Sequence, residues 1–262
     1  MLSIAERAVA SSIELPAQGR RGDVSFATAE GGDRVEADLI VVATGLRSLR
    51  SKLVSAFREM TGYRPPRAMP ACVTEIDLSS CGGTSIGGRL LILNGIIPDS
   101  VIALIPMQVN WLTVAALKRV LTVNGLRCVF ANPVVREYVQ LDDVELSLVC
   151  EKVCGSDVFV GKARNTYGDG WVVLGDLAGY GRVLKDGYFA ALLGADLAAR
   201  TVAFHGCSRE AFARNYHAGV RQFDRENRMG MELFALNNVV TKSGIFNQAM
   251  VDALSWEGSR HP

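Results

Sequence analysis

The spacing of apolar and polar residues changes along the chain, and before residue 46 it predicts strands. Three strands are expected, separated by polar turns at 19–23 and at Gly31-Gly32-Asp33, and they cover residues 8–15, 24–28 and 38–45. The third contains the run Leu39-Ile40-Val41-Val42, which is typical of a strand buried on both faces of a parallel sheet. Short strands that lead into a buried one indicate a layered α/β sheet.

After Pro65-Pro66 the pattern becomes that of an antiparallel sheet. Four strands are predicted between Gly- and Pro-containing turns, at residues 72–78, 90–93, 101–106 and 111–117. The stretch 120–140 is ambiguous, although Pro133 suits the first position of a short helix. A further apolar strand, 171–174, ends at Gly175-Asp176.

From residue 186 to about 204 the sequence is rich in Ala and Leu and predicts a helix. Gly206 is placed to end it, and Ser208 to cap the next helix. Apolar residues recur on one side of that second helix, at Phe212, Tyr216, Val220, Phe223, Met231 and Phe234. Arginines occupy its other side, at Arg209, Arg214, Arg221 and Arg225. This arrangement predicts an amphipathic helix that packs on a core.

Composition narrows the class of protein. With 49% apolar residues, 28 basic and 27 acidic side chains, the chain can bury a core and has no basic stripe for nucleic acid. Charges interrupt the apolar start, so no signal peptide is expected, and no run reaches the roughly 18 apolar residues of a membrane span. Six scattered cysteines suit reduced thiols. These features predict a soluble, cytoplasmic globular protein.

Two stretches place small and polar residues directly after a buried strand. One ends in Ala43-Thr44-Gly45; the other ends in Gly175-Asp176 and leads to a helix that begins near Gly187. Gly175 allows a ligand to approach the backbone, Asp176 can accept hydrogen bonds from ligand hydroxyls, and the helix start offers unsatisfied N–H groups. The alternative is that Gly-Asp only shapes the turn.

These stretches resemble the two downstream FAD-associated motifs of the flavoprotein monooxygenase and geranylgeranyl reductase superfamily. Their sequences are DLIVVATGLRS (38–48) and GWVVLGDLAGYGRVLKDGYFAALLGA (170–195). Residues 150–176 and 204–234 are similar to bacterial FAD/NAD(P)-dependent oxidoreductases. The resemblance implies a partial FAD/NAD(P)-binding Rossmann-like domain of α/β (α+β) class. The implied division is a remainder of the FAD-binding domain at 1–66, an inserted antiparallel substrate domain at 67–160, a return to the FAD-binding domain at 161–206 and C-terminal helices at 207–262.

The resemblance also implies a function. FAD would be the cofactor, NAD(P)H is a candidate electron donor, and a hydride would pass between the flavin and a small or apolar organic substrate. The reductase likeness favours reduction of a carbon–carbon double bond over hydroxylation. No residue stands out as a catalytic acid or base.

The same resemblance assigns cofactor contacts residue by residue. Asp176 would contact the ribityl chain, Gly175 would admit the cofactor to the backbone, and Gly45 would lie near it. Gly187 and Tyr188 would begin the helix that faces the isoalloxazine ring. Lys185 and Asp186 are the charged residues nearest that turn, where they either tune the ring or form a surface ion pair.

The chain departs from the family pattern in lacking G-x-G-x-x-G. Residues 81–88 have the wrong spacing and suit a hairpin turn, and Gly179-Tyr180-Gly181 lacks the third glycine. A complete relative is expected to have roughly 100 further residues before Met1, lost by truncation or supplied by a separate polypeptide. The alternative function is therefore a non-catalytic remnant or partner subunit without tight FAD binding. Its strand at 38–45 would be an exposed edge that favours self-association.

The remaining candidates are weaker. Cys150 and Cys154, four residues apart, lack a second Cys/His pair, and the three histidines are scattered, so no metal site is expected. Trp111 and Tyr188 either line a substrate cavity or, as the pattern favours, pack in a core.

Overall fold

The computed structural model describes residues 9–16, 21–28, 31–79, 89–108, 110–139, 153–180 and 187–221, with 225, 228–230, 232 and 235–236. These residues form two compact units. The first unit contains the described residues of Met1–Arg67 and Phe159–Leu236, and the second those of Ala68–Val158. The chain therefore leaves the first unit and returns to it.

The first unit begins with an antiparallel meander of β1 (Val9–Glu14), β2 (Gly22–Thr28) and β3 (Gly31–Ala37). The predicted turn at Gly31-Gly32-Asp33 is wrong, because these residues begin β3, where Asp33 pairs with Phe26. Most of β3 is exposed, and its sequence therefore lacks the alternation of apolar and polar residues that predicts a strand. The strand is held in the sheet by its backbone hydrogen bonds to β2. An ion pair between Arg34 and the buried Asp23, at 2.6 Å, fastens it to β2.

The strand β4 (Ile40–Val42) follows, and a 3₁₀ turn at Leu46–Arg50 leads into α1 (Lys52–Thr61). The predicted burial on both faces is wrong for β4, because Ile40 and Val42 are buried on one face whereas Val41 is exposed on the other. The Ser51 hydroxyl caps α1 by accepting a hydrogen bond from the Val54 amide at 3.2 Å. Gly62 ends the helix in the left-handed conformation.

The second unit is a five-stranded sheet with two helices. The sheet order is β6-β7-β8-β5-β9, from β5 (Ala68–Asp77), β6 (Leu91–Asn94), β7 (Val101–Gln108), β8 (Trp111–Leu117) and β9 (Cys154–Phe159). The four predicted strands are confirmed, and they pair antiparallel. The sequence missed β9, whose half-buried residues do not alternate. The helices are α2 (Val123–Ala131) and α3 (Pro133–Arg136), and α3 starts at Pro133 as predicted.

The core of the second unit joins the sheet to its helices. Ile102, Leu112 and Val114 from the sheet form one fully buried cluster with Leu126 and Val129 of α2. The antiparallel unit therefore buries its apolar face without residues of the first unit in that cluster.

The chain then completes the first unit with β10 (Tyr167–Gly168), β11 (Trp171–Val173), α4 (Gly187–His205) and α5 (Arg209–Ala211), which continues into a π-helical turn at Phe212–His217. The sheet order is β10-β11-β4. Both predicted caps are confirmed: Gly206 follows α4 with a φ of 83°, and the Ser208 hydroxyl accepts from the Ala211 amide at 3.2 Å. The predicted α/β class is confirmed.

The second helical segment is amphipathic as far as it is described. Phe212, Tyr216 and Val220 are buried, whereas the predicted arginines are exposed. Phe223, Met231 and Phe234 lie outside the described residues. None of the helices that the structure describes is long and apolar enough to cross a membrane.

Two buried tyrosines hold the segment that follows β11. The Tyr63 hydroxyl donates to the Leu177 carbonyl at 2.6 Å, and the Tyr216 hydroxyl donates to the Val173 carbonyl at 3.3 Å. Burial raises the pKa of both hydroxyls above the ordinary value, because the phenolate would lose its hydration. Both tyrosines thus act as neutral donors that fix the backbone around the end of β11.

Alanine at Gly179 is expected to destabilise the protein more than alanine at Gly206. Both glycines have positive φ, which costs roughly 1–2 kcal/mol for alanine. A Cβ at Gly179 would lie 2.7 Å from the Gly161 carbonyl oxygen, whereas one at Gly206 meets no atom of the described part of the chain within 4 Å. The clash adds about 1–3 kcal/mol. Urea unfolding followed by tryptophan fluorescence measures both variants, and equal losses would contradict the packing at Gly179.

Stability is expected to fall at alkaline pH because of Tyr63 and Tyr216. Each has a folded pKa above its unfolded value of about 10, so its contribution is complete below pH 10 and is lost as the pH rises further. Urea midpoints measured from about pH 8 to pH 12 should decline more steeply for the wild type than for the Tyr63→Phe/Tyr216→Phe variant. Parallel declines would show that neither hydroxyl is buried as described.

Candidate functional site

The carboxyl ends of two neighbouring strands lie side by side at one edge of the first unit's sheet. Strands β4 and β11 run parallel, with Val42 opposite Val173, and the Leu174 amide donates to the Val42 carbonyl at 3.0 Å. Thr44-Gly45 and Gly175-Asp176 therefore follow neighbouring strands at the same sheet edge. The predicted convergence of these distant segments is confirmed. The carboxyl ends of parallel strands are where open α/β sheets bind their ligands.

The loop after β4 presents bare backbone to open space. Gly45 has a φ of 72°, and a Cβ built on it would meet no atom of the described residues within 4 Å. The Thr44 hydroxyl donates to the Ser48 hydroxyl at 2.7 Å, which donates to the Gly45 carbonyl at 2.7 Å. These two bonds fix the loop without filling the space before Gly45, so a ligand has room to approach the chain there.

The turn after β11 is similarly open. Gly175 has a φ of 64°, and among the described residues a Cβ there would find only the Ala191 Cβ, at 3.9 Å. The 3₁₀ turn at Gly175–Leu177 packs against α4. Because Tyr63 holds the Leu177 carbonyl, the backbone of this turn is fixed from its buried side.

The Asp176 carboxylate lies beside the start of α4. Asp176 is exposed, and a Cβ built on Gly187 would lie 3.8 Å from its Oδ1. The first turn of α4 contains no acidic residue of its own, so Asp176 is placed to interact with the partial positive charge of the helix start. The same carboxylate can accept hydrogen bonds from ligand hydroxyls. The geometry thus supports both a helix-stabilising and a ligand-binding role.

The predicted cofactor residues fall into two groups. The structure brings Gly45, Gly175, Asp176 and Gly187 to this sheet edge and the adjoining start of α4. Lys185 and Asp186 lie outside the described residues.

The aromatic side chains do not behave as the pattern favoured. Tyr188 is 92% exposed, so packing in a core is wrong for it: in the first turn of α4 its ring points away from the buried side that Ala190 occupies. Trp111, in the second unit, is also exposed. The described residues contain no group of His, Cys, Asp and Glu able to hold a metal ion. Cys150, His261 and the predicted hairpin turn at 81–88 lie outside them.

Sequence reasoning missed the residues that support the site from beneath. Tyr63 lies more than 100 positions from Leu177, whose carbonyl accepts its hydrogen bond, and no local sequence pattern predicts that contact. One signal was present in α4, where Ala190, Gly194 and Ala198 recur every four residues and are buried. Such a repeat of buried small residues is the pattern by which the sequence could have identified the buried side of α4.

No protein-family model and no curated protein matches the chain. It is similar to several solved structures. A flavoprotein/dehydrogenase from Cytophaga hutchinsonii matches with a TM-score of 0.54 and 17% identity over 83% of this chain and 54% of its own. A geranylgeranyl bacteriochlorophyll reductase-like protein from Thermoplasma acidophilum matches with a TM-score of 0.60 and 14% identity over 86% and 56%. Aklavinone-11 hydroxylase, in complex with FAD and aklavinone, matches with a TM-score of 0.52 and 16% identity. The match covers 75% of this chain and 37% of the hydroxylase chain.

These likenesses concern the fold. The chain spans little more than half the length of the first two structures and 37% of the third. At identities of 14–17%, side-chain roles do not carry over from them. In its described residues the chain is therefore similar in fold to part of each of these structures.

Proposed function

We propose that this chain forms part of an FAD-dependent oxidoreductase that transfers a hydride between the flavin and a small or apolar organic substrate. The observation that carries this proposal is the parallel pairing of β4 and β11, which sets Gly45 beside Gly175-Asp176 with open backbone at both glycines. Flavoproteins among the structures of similar fold support it. The reductase-like neighbour favours reduction of a carbon–carbon double bond as the reaction.

Each residue at this edge has a proposed part in holding the cofactor. The backbones at Gly45 and Gly175 give it room, and Asp176 accepts hydrogen bonds from the ribityl hydroxyls. Gly187 and Tyr188 begin the helix whose partial positive charge stabilises negative charge on the reduced ring. Bound FAD supplies the hydride chemistry, while the protein supplies position and electrostatics.

The other parts of the proposal concern two charged residues, the electron donor and the division of the chain into domains. Lys185 and Asp186 are proposed to adjust the electrostatics near the ring. NAD(P)H is proposed as the electron donor. Residues 67–160 are proposed as the substrate domain, between FAD-binding segments at 1–66 and 161–206, with a C-terminal helical region at 207–262.

Asp176→Ala is expected to weaken FAD binding by about 1–3 kcal/mol, the scale of a lost hydrogen bond to a charged group. Titration of the purified chain with FAD, followed by flavin fluorescence and visible absorbance, measures the change. The matched control is Asp196→Ala, which removes a carboxylate from the middle of α4, where Asp196 pairs with Arg200. The control should leave FAD affinity unchanged.

The same titration separates the two roles of Asp176. If the carboxylate serves only the helix, Asp176→Ala lowers the unfolding midpoint and leaves FAD affinity equal to that of Asp196→Ala. That result removes Asp176 from the cofactor site. Wild-type protein that is colourless and acquires no flavin spectrum with FAD would overturn the oxidoreductase proposal for this chain.

The alternative function that we propose is a non-catalytic remnant or partner subunit without tight FAD binding. For either function we also propose that the chain self-associates, which a separate observation favours. In the described sheet β4 is an edge strand, and Val41 is 47% exposed. Tyr188, Phe189 and Leu192 of α4 are 92%, 59% and 71% exposed. An open strand edge and an apolar helix surface are features that proteins cover by association. We propose a second copy of the chain as the occupant.

Light scattering after gel filtration is expected to give a mass above the 28.2 kDa of one chain, increasing with concentration. Leu192→Glu should shift the protein towards the monomer, because it places a charge in the apolar surface. Val134→Glu, which alters an exposed apolar residue of α3 in the second unit, is the control and should not. A constant monomer mass for the wild type contradicts self-association.

A further inference from the structure

A pocket of about 330 Å³ lies within the first unit, and the proposed function does not use it. Three of the residues that line it are basic, namely Lys162, Arg164 and Arg209. Tyr167, Tyr180 and His217 also contribute. None of these residues is among those proposed to hold the flavin. The volume is within the range of sites for small molecules.

Every charged residue among the described ones that line this pocket is basic. Neither the Arg164 nor the Arg209 guanidinium forms an ion pair within the described part of the chain. The nearby carboxylate of Asp169 accepts a hydrogen bond from the Arg209 backbone amide at 2.8 Å and is not among the lining groups. Cations gathered around one cavity repel each other, and an anion between them relieves that repulsion.

The walls of the pocket are held in place by the surrounding structure. Arg164 exchanges backbone hydrogen bonds with Arg64, at 2.8 and 3.0 Å. The next residue, Asn165, has a φ of 51° and donates from its side chain to the Gly62 carbonyl at 2.9 Å. The basic loop is thereby fastened to the end of α1. A fixed loop spares a ligand part of the entropy cost of ordering its contacts.

Other residues that line the pocket carry hydrogen-bonding groups. The buried hydroxyls of Thr166 and Tyr180 are 3.2 Å apart, and the Tyr167 hydroxyl lies 3.4 Å from Nδ1 of His217. The rings of Tyr167 and His217 are also in contact, with centroids 5.6 Å apart. Thr166, Tyr167, Tyr180 and His217 line the same pocket as the three basic residues. The pocket therefore combines basic residues with hydrogen-bonding ones.

We propose that this pocket binds the phosphate group of a small phosphorylated molecule. A phosphate carries up to two negative charges and several acceptor oxygens, which match two guanidinium groups and an ammonium better than a single carboxylate does. The ligand is defined by this chemistry, and inorganic phosphate, pyrophosphate and a phosphate ester share it.

Calorimetric titration of the full chain with inorganic phosphate, pyrophosphate and acetate, at constant ionic strength set with sodium chloride, tests the proposal. Pyrophosphate is expected to bind saturably with one site per chain, and acetate more weakly. Arg164→Gln and Arg209→Gln should each lower the affinity for pyrophosphate by about tenfold, as expected for a lost charge-assisted contact. The control, Arg127→Gln, removes the same charge from an exposed position of α2 in the second unit and should leave the pyrophosphate affinity unchanged.

Thermal unfolding of each variant establishes that it is folded, and Lys162→Gln gives an independent loss at the same pocket. The absence of saturable binding, an equal loss in Arg127→Gln, or acetate affinity equal to that of pyrophosphate would overturn the proposal. FAD titration of Arg164→Gln/Arg209→Gln should match the wild type. A loss of FAD affinity in that variant would overturn the assignment of the pocket to a separate ligand, while failure of FAD binding in the wild type would leave the phosphate result unaffected.

Discussion

The parallel pairing of β4 with β11 is the contact on which the first unit depends. Only three residue pairs form it, yet it joins segments about 130 positions apart in the sequence. Closing so long a loop costs conformational entropy, although the cost grows slowly with length. Burial of Ile40, Val42 and all of β11 in one cluster offsets that cost. The edge-to-face contact of Trp171 with Phe57, at 5.2 Å, adds α1 to the same core.

The inserted antiparallel unit is compatible with this long-range contact because it has its own core. Its sheet and α2 bury one cluster, and the β4–β11 region buries another. The first unit can therefore keep its short parallel strands in register while a separate sheet interrupts its sequence. Its two tyrosine hydroxyls then hold the carbonyls of Val173 and Leu177 on either side of the turn. The Gly175 backbone, with open space on one side, is thus supported by buried donors on the other.

The two candidate binding regions of the first unit rest on different physics. At the strand ends, glycines with positive φ leave space for a ligand. The charges there are the partial positive charge at the start of α4 and the carboxylate of Asp176 beside it. In the pocket, space is bounded by side chains, and the charge is that of Lys162, Arg164 and Arg209. The first region suits a ligand that lies against backbone, and the second an anion held by side chains.

The sequence by itself determined several strands and helices that an apolar run or a capping residue marks. Examples are the strand at Ile40–Val42, the start of α3 at Pro133, and the caps at Gly206 and Ser208, although α1 was not predicted despite its cap at Ser51. It failed for β3, because exposed strands are held by ladder hydrogen bonds that leave no apolar pattern. Only the tertiary structure decided that Tyr63 supports Leu177 and that Arg164 and Arg209 share a pocket. Such contacts join residues far apart in the chain, and local spacing carries no information about them.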